Sequence, residues 1–381
     1  MPVYLDHAAS GLLHPAAAAA VQEWMARGYG NPSGSHSVAR RAKAALEEAR
    51  DTVAAFLGVE PGGVVFTSGG TEADNLAVLG SLAAHPGHGS SVAVSAVEHP
   101  AVTESALAAG SAGREVRTIG VGPDGLIDLD GMRRLLDRDV ALVSVQTANH
   151  ETGVVQPLDQ IIPRVRKWAP GAVFHTDAVQ AAAWMDLPAV TLGADLLSIS
   201  GHKIGGPQGI GALAVRNGTA VAPVIHGGGQ ERERRSGTPN VAAIAGLAAA
   251  VEETTRHRQA YSVQVEERRD LLSSLILAGV PDAVATAPES PKLPGHCHFR
   301  FRGVESEALL FLLDERGVCA SAGAACASGA IEPSPVLLAM GVEKDEAGSA
   351  LRLTLGPTTT EEDVRIAAAA VVNSVNLLRG S

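Results

Sequence analysis

Short apolar runs recur along the first two thirds of the chain, each closed by small or polar residues. VVFT (64–67), SVAVS (91–95), VALVSVQ (140–146), AVFHTD (172–177), DLLSIS (195–200) and GIGALAV (209–215) show little alternation of polar and apolar positions, so they predict short strands buried on both faces. Between them the period changes. From Val38 to Leu57, Leu46, Ala49, Val53, Phe56 and Leu57 fall on one helical face, and Arg40, Arg41, Lys43, Glu47, Glu48 and Arg50 fall largely elsewhere. Strands separated by helices predict an α/β fold with a mostly parallel sheet covered on both faces. In such a sheet ligands gather at the carboxyl ends of the strands, so the polar residues there are the candidates for chemistry.

Past about residue 255 the pattern differs. A long charged helix (ETTRHRQAYSVQVEERRDLLSSLILAG) leads to HCHFRFRG, a helix from Glu305 to Arg316 and a final alternation in ALRLTLG. This reads as a smaller α+β unit. The 381 residues exceed one core of ordinary size. The expected division is a large domain over 14–255 and a small domain made of 1–13 and 256–381.

Charge and cysteine content narrow the function classes. Thirty basic residues against forty-one acidic ones give a net charge of −11, which disfavours nonspecific binding to nucleic acid or to an anionic membrane. MPVYLDHAAS has no basic segment followed by an apolar core. The longest uncharged helical run, around VAAIAGLAAAV, is far short of the roughly 20 residues a bilayer requires, and a cytoplasmic location is expected. Three cysteines (Cys297, Cys319, Cys326) with no CxxC pair argue against a disulfide framework and a structural zinc site, and no resident metal is expected.

Lys203 is the most informative residue. Of five lysines, Lys43, Lys167, Lys292 and Lys344 lie in contexts that suit a solvated ammonium, whereas Lys203 follows the buried run DLLSIS in an abrupt SGHK turn. A desolvated amine loses its proton more readily and becomes competent to form a Schiff base with an aldehyde, which points to pyridoxal phosphate. A lysine salt-bridged at a strand end is the alternative. TSGGTEADN (67–75) follows a strand and opens a helix, so the N–H groups of Gly70 and Thr71 and the Thr71 hydroxyl converge where a phosphate fits; a plain N-cap is the alternative. Asp177 closes the AVFHTD run, with Gln180 three residues on. Its carboxylate suits a pyridinium nitrogen, or else caps a helix. His99, in VEHPAV, is placed to stack on a planar ring and relay protons, or is structural. Arg352 offers a two-pronged grip on a substrate carboxylate, or an internal ion pair. Cys326 sits in ASAGAACASGAIEPS, where small residues argue against a packed core position and thiolate character would make it reactive.

In this order the motifs resemble the cysteine desulfurases of NifS/IscS type, within the class V aminotransferases and the fold type I pyridoxal-phosphate enzymes. The likeness covers YLDHAA (4–9), GNPSGSH (30–36), FTSGGTEADN (66–75), VEHPAV (97–102), VSVQTANHETGVVQP (143–157), FHTDAVQ (174–180), SGHKIGGPQGIGAL (200–213), HGGGQERERRSGTPN (226–240) and SAGAACASGAIEPS (321–334). The resemblance implies a seven-stranded, mostly parallel sheet in the large domain and a cysteine loop in the small one. It implies that Lys203 carries the cofactor and His99 stacks on its ring. Asp177 and Gln180 would hold the ring nitrogen and phenolic oxygen, and Gly70, Thr71, Ser200 and His202 the phosphate. Thr238 would reach the phosphate of a neighbouring subunit, which implies a homodimer. Asn31 and Arg352 would meet the carboxylate of L-cysteine. Cys326 would accept the sulfur, with a role as a transient iron–sulfur ligand open, and pass it to an iron–sulfur scaffold or a tRNA-thiolation protein.

Two departures stand out. AASGLLHP replaces the AATTP common near the N-terminus, and Asn149-His150-Glu151 stands where many relatives have Asn-Asn-Glu. His150 is expected to face the cofactor and to titrate near neutral pH; the alternative turns His150 away and gives its role to Asn149. A selenocysteine lyase or other β-elimination enzyme is the second functional reading, and a non-catalytic partner-binding relative the third.

Overall fold

The computed structural model describes residues 2–85, 87, 89–323 and 333–380. Its strands are β1 (Val3–Tyr4), β2 (Val64–Thr67), β3 (Ser91–Ser95), β4 (Glu115–Ile119), β5 (Val140–Ser144), β6 (Val173–Asp177), β7 (Leu196–Ser200), β8 (Gly211–Val215), β9 (Val284–Ala285), β10 (His296–Arg300), β11 (Val318–Cys319) and β12 (Ala350–Thr354). Seven of them form one sheet in the order β2-β8-β7-β6-β5-β3-β4. Only β8 runs against its neighbours, because it returns from β7 through the tight turn that carries Lys203. The others run the same way, so their carboxyl ends share one edge.

The six expected strands are all present, with ends trimmed by up to two residues. β2, β3, β5, β7 and β8 are buried at every position, which is why their sequences lack alternation. β4 was not anticipated. It is an edge strand, EVRTI, with only Ile119 fully buried, and its charges hide it in sequence.

β12, β10 and β9 form a second, antiparallel sheet, and β1 pairs in parallel with β11. One apolar cluster gathers Phe66, Leu197, Ile199 and Ala212 under the large sheet, and another gathers Leu5, Phe299, Leu351 and Leu353 around the smaller one. A single helix, Val241–Gly279, joins them. At 39 residues it is about 58 Å long. Its first half buries Ile244, Leu247 and Val251 in the first cluster, and its second half buries Val265, Leu272 and Ile276 in the other. The division expected at 255/256 therefore falls within an unbroken helix.

Candidate active site

β7 ends at Ser200, and the backbone turns through Gly201–Lys203. A Cβ at Gly201 would stand 2.7 Å from Ile210 Cγ2 and 3.0 Å from the Pro207 carbonyl oxygen, so only glycine allows this turn. The Lys203 ammonium is aimed at the N-terminal segment. It donates to the Ala8 carbonyl, and to the Ala9 carbonyl at 2.7 Å. Burial lowers its pKa to about 8; Arg352 adds to the effect, while Asp6 and Asp177 oppose it. Lys292 corrects the expectation of a solvated ammonium at every other lysine. It is half-buried, donates to the Thr286 carbonyl at 2.5 Å, and burial brings it to about 8 as well.

Asp177 ends β6, buried beside the lysine turn. Its Oδ1 accepts from the Val179 N–H at 2.8 Å, and burial raises its pKa while His99 and Lys203 pull it down. The residues after Asp177 form turns rather than a helix, so this bond closes a turn and the alternative of a helix cap is not met. Gln180 donates to the Ala8 carbonyl at 3.0 Å, the acceptor it shares with Lys203. His99 also has two uses. Its Nδ1 accepts from the Ala101 N–H at 3.1 Å and caps the helix Pro100–Ser111, which leaves the proton on Nε2. Burial lowers its pKa, against the pull of Asp177.

The His150 ring meets His99 edge-on, with centroids 5.1 Å apart. Asn149 is held by other bonds. Its side-chain oxygen accepts from the Glu151 and Thr152 N–H groups (3.0 and 2.8 Å) and the Thr152 hydroxyl (3.0 Å), and its amide donates to the Val97 carbonyl (3.1 Å). The expected titration near neutrality is corrected, however. Burial, then His99, Arg352 and Lys203, holds His150 well below the usual histidine range, so it is neutral at pH 7.

The helical run that starts at Gly70 continues to Ala84 through a π-turn at Leu76–Gly80. A Cβ on Gly70 would lie 2.9 Å from Val179 Cγ2 and 3.4 Å from Ser200 Cβ, so the ends of β2, β6 and β7 crowd together here. Thr71 is exposed at the helix start. Ser200 Oγ lies 2.9 Å from His202 Nδ1, and burial brings His202 to about 4. The result is a group of neutral donors near a helix N-terminus, suited to an anion.

Arg352, in the middle of β12, bonds the His150 carbonyl (2.9 Å) and Asp6 (3.0 Å) and lies 3.5 Å from the Gly323 carbonyl. The internal ion pair is therefore present, while its buried Nε has no partner among the described residues. Glu151, which drew little notice in the sequence, accepts from the Ser334 hydroxyl at 2.5 Å, and burial pushes it up to about 7. Gly323 and Ser334 flank the segment that holds Cys326, which lies outside the described residues. Asn31 and Thr238 are exposed, and no described bond ties either to the Lys203 cluster. Thr238 instead borders a pocket with Ser68, Gly209 and Glu231. A cavity of about 230 Å³ beside Lys203 is lined by His7, Gln180, Trp184, Tyr261 and His296 among others.

The family described as aminotransferase class-V matches residues 3–366. The chain belongs to the class V aminotransferase family. It is 38% identical to the cysteine desulfurase IscS of Dictyoglomus turgidum, over 95% of this chain and 91% of that protein. It is 40% identical to an IscS-like cysteine desulfurase of Mycobacterium tuberculosis, over 95% and 93% of the two chains. A solved NifS-like protein superposes with a TM-score of 0.92 at 30% identity, covering 99% of this chain and all of the other. Members of this class V family with the NifS-like fold depend on pyridoxal phosphate. Among the described residues, the sequence missed Asp6, Asp74, Glu98 and the pair His296 and His298. These are scattered acids and histidines whose meeting depends on strand order, so no local signal marks them.

Proposed function

We propose that the chain is a pyridoxal-phosphate-dependent cysteine desulfurase, which takes sulfur from L-cysteine, leaves L-alanine, and loads the sulfur on Cys326. The observation that carries this reading is Lys203, with an amine depressed to about 8, grouped with a buried carboxylate, a ring-facing histidine and a neutral anion cradle. The residues fit the cofactor. Among the described residues Asp177 accepts only the Val179 N–H, which leaves an oxygen for a ring nitrogen, and His150 Nδ1 is buried without a partner.

When bound, the cofactor supplies an electron sink for charge developing at the substrate's Cα. Lys203 holds it and, once released as a free amine, is the base at Cα. Asp177 holds the ring nitrogen, Gln180 the phenolic oxygen, and His99 covers the ring. Gly70, Thr71, Ser200 and His202 hold the phosphate with Thr238 from a neighbouring subunit, so the working unit is a homodimer. Arg352 and Asn31 orient the substrate carboxylate. The Cys326 thiolate attacks the substrate sulfur; an S–S bond forms, the C–S bond breaks with its electron pair left on carbon, and protonation of that carbon gives alanine.

The sulfur then passes to an acceptor protein of iron–sulfur cluster assembly or tRNA thiolation, in the cytoplasm. Among the described residues no helix is long and apolar enough to cross a membrane. The test is product analysis of the purified, cofactor-loaded protein given L-cysteine and a thiol reductant. Alanine and sulfide should appear in equal amounts, and Lys203→Ala should make neither. Selenide from selenocysteine with no alanine from cysteine would instead support the lyase and overturn this reading.

A further inference from the structure

Asp177 does not stand alone at the foot of the proposed ring site. Asp74, one turn along the helical run from the phosphate cradle, is 1% exposed. One oxygen of Asp74, one ring nitrogen of His99 and one oxygen of Asp177 all lie within 4.8 Å of one another. Asp74 Oδ1 is buried without a hydrogen-bond partner among the described residues, and the His175 Nε2 stands 3.5 Å from it. His175 is committed elsewhere, with Nδ1 2.8 Å from Ser144 Oγ on β5 and Nε2 3.0 Å from Ser198 Oγ on β7. From the segment after β3 comes Glu98, whose Oε1 accepts from the Gln146 N–H at 2.6 Å and whose Oε2 has no hydrogen-bond partner among the described residues.

The charges that face this point are therefore three carboxyls, two histidines and the Lys203 amine. Burial first, then Asp177, holds Asp74 and Glu98 well above the carboxylate range. Burial keeps His175 neutral, at about 3. One ammonium, or one protonated ring nitrogen, balances a single negative charge. A second ionised carboxylate within a few ångströms of the first would have no counter-charge and no water. Asp177 is the carboxyl favoured to ionise, because of the three it alone feels both His99 and Lys203 as lowering influences.

We propose that Asp74 is a positioning residue that stays protonated and donates toward Asp177, keeping Asp177 the one ionised carboxylate under the cofactor's ring nitrogen. This rests on the reading that Asp177 holds that nitrogen. A neutral donor behind Asp177 stabilises its anion, and an anionic Asp177 keeps the ring nitrogen protonated. An amide can replace such a donor; a methyl group cannot.

Two measurements test it. The first uses wild type, Asp74→Asn, Asp74→Ala and Asp177→Asn loaded with cofactor labelled with ¹⁵N in the ring, whose resonance reports the ring proton across pH 6–9. Wild type and Asp74→Asn should stay protonated together, and Asp74→Ala should lose the proton at a pH lower by about one unit, a tenfold change in the equilibrium. Asp74→Ala titrating with wild type, or Asp74→Asn moving as far as Asp74→Ala, overturns the proposal. If Asp177→Asn deprotonates the ring nitrogen while Asp74→Ala does not, only the role of Asp74 falls. If Asp177→Asn also changes nothing, the reading of Asp177 falls with it.

The second uses cofactor-free wild type and Asp74→Asn. A carboxyl neutral when folded and ionised when unfolded lowers wild-type stability as pH rises from its unfolded pKa toward its raised folded one. The melting temperature of Asp74→Asn should therefore gain on that of wild type from pH 5 to 8. A constant gap means that Asp74 is ionised in the fold, which overturns the proposal without reference to the cofactor.

Discussion

Lys203, Asp177 and His99 each carry a structural bond and a site-facing atom at once. A structural bond and the proposed cofactor contact are compatible in Asp177 and His99, because the bonds to the Val179 and Ala101 N–H groups use one oxygen and one ring nitrogen and leave the other of each. Residue type and position made these three candidates in the sequence. What sequence left hidden was the surroundings: burial lowers the Lys292 amine to about 8 as it does that of Lys203, and burial first, with His99, Arg352 and Lys203 adding to it, keeps His150 neutral. Lys203 differs from Lys292 in its company, since it alone faces the Asp177 and His99 group. Its pKa of about 8 gives a measurable consequence. Only the free amine attacks an aldehyde, so cofactor uptake by the cofactor-free protein should speed up about tenfold per pH unit below 8 and level off above it. Stopped-flow absorbance would follow this, and a rate that kept climbing tenfold per unit to pH 10 would show an ordinary, solvated lysine.

At the scale of elements, the strands were readable because burial on both faces leaves uninterrupted apolar runs, while β4 was lost to its edge position. The 241–279 helix was readable as two helical runs, an uncharged one and a charged one, but not as one element. Its two halves bury different faces against different cores, so no single stripe persists along it. The segment from His226 to Asn240 shows another element-level device. Glu231, Arg232 and Glu233 have φ of 47°, 58° and 65°, a left-handed run that side-chain-bearing residues rarely adopt. A buried ion pair holds it: Arg50 meets Glu231 through two bonds of 2.8 and 2.9 Å, and the same carboxylate accepts the Phe66 N–H on β2 at 2.9 Å. Both side chains are almost fully buried. Glu231→Gln keeps the shape but leaves Arg50 with only the half-exposed Glu47, at 3.2 Å, as its counter-charge, and should destabilise the cofactor-free protein by about 3 kcal/mol. Thermal or urea unfolding would measure it, and a loss under about 1 kcal/mol, the scale of an exposed pair, would mean that the pair does not hold the segment.

For the whole molecule, the shared strand edge, the lysine turn and β12 bring residues 6 to 352 to one site, which explains why motifs spread over the chain form one chemical group. Leu12, Leu13, Met25, Tyr29, Val224 and Ile225 are exposed apolar residues, in keeping with the proposed dimer. The proposed sulfur-accepting step rests on Cys326. Of the cysteines the structure describes, Cys297 is fully buried and pushed up to about 12, far from a thiolate, and Cys319 is half-buried beside β1. Neither lines the cavity beside Lys203. The most direct measurement is therefore the intact mass of wild type and Cys326→Ser, both cofactor-loaded, after L-cysteine is added without reductant. Wild type should become one sulfur atom heavier as alanine forms, and Cys326→Ser should bind cysteine yet gain no sulfur. A variant that still gains the sulfur atom, or a wild type that gains none while alanine accumulates, would contradict the account.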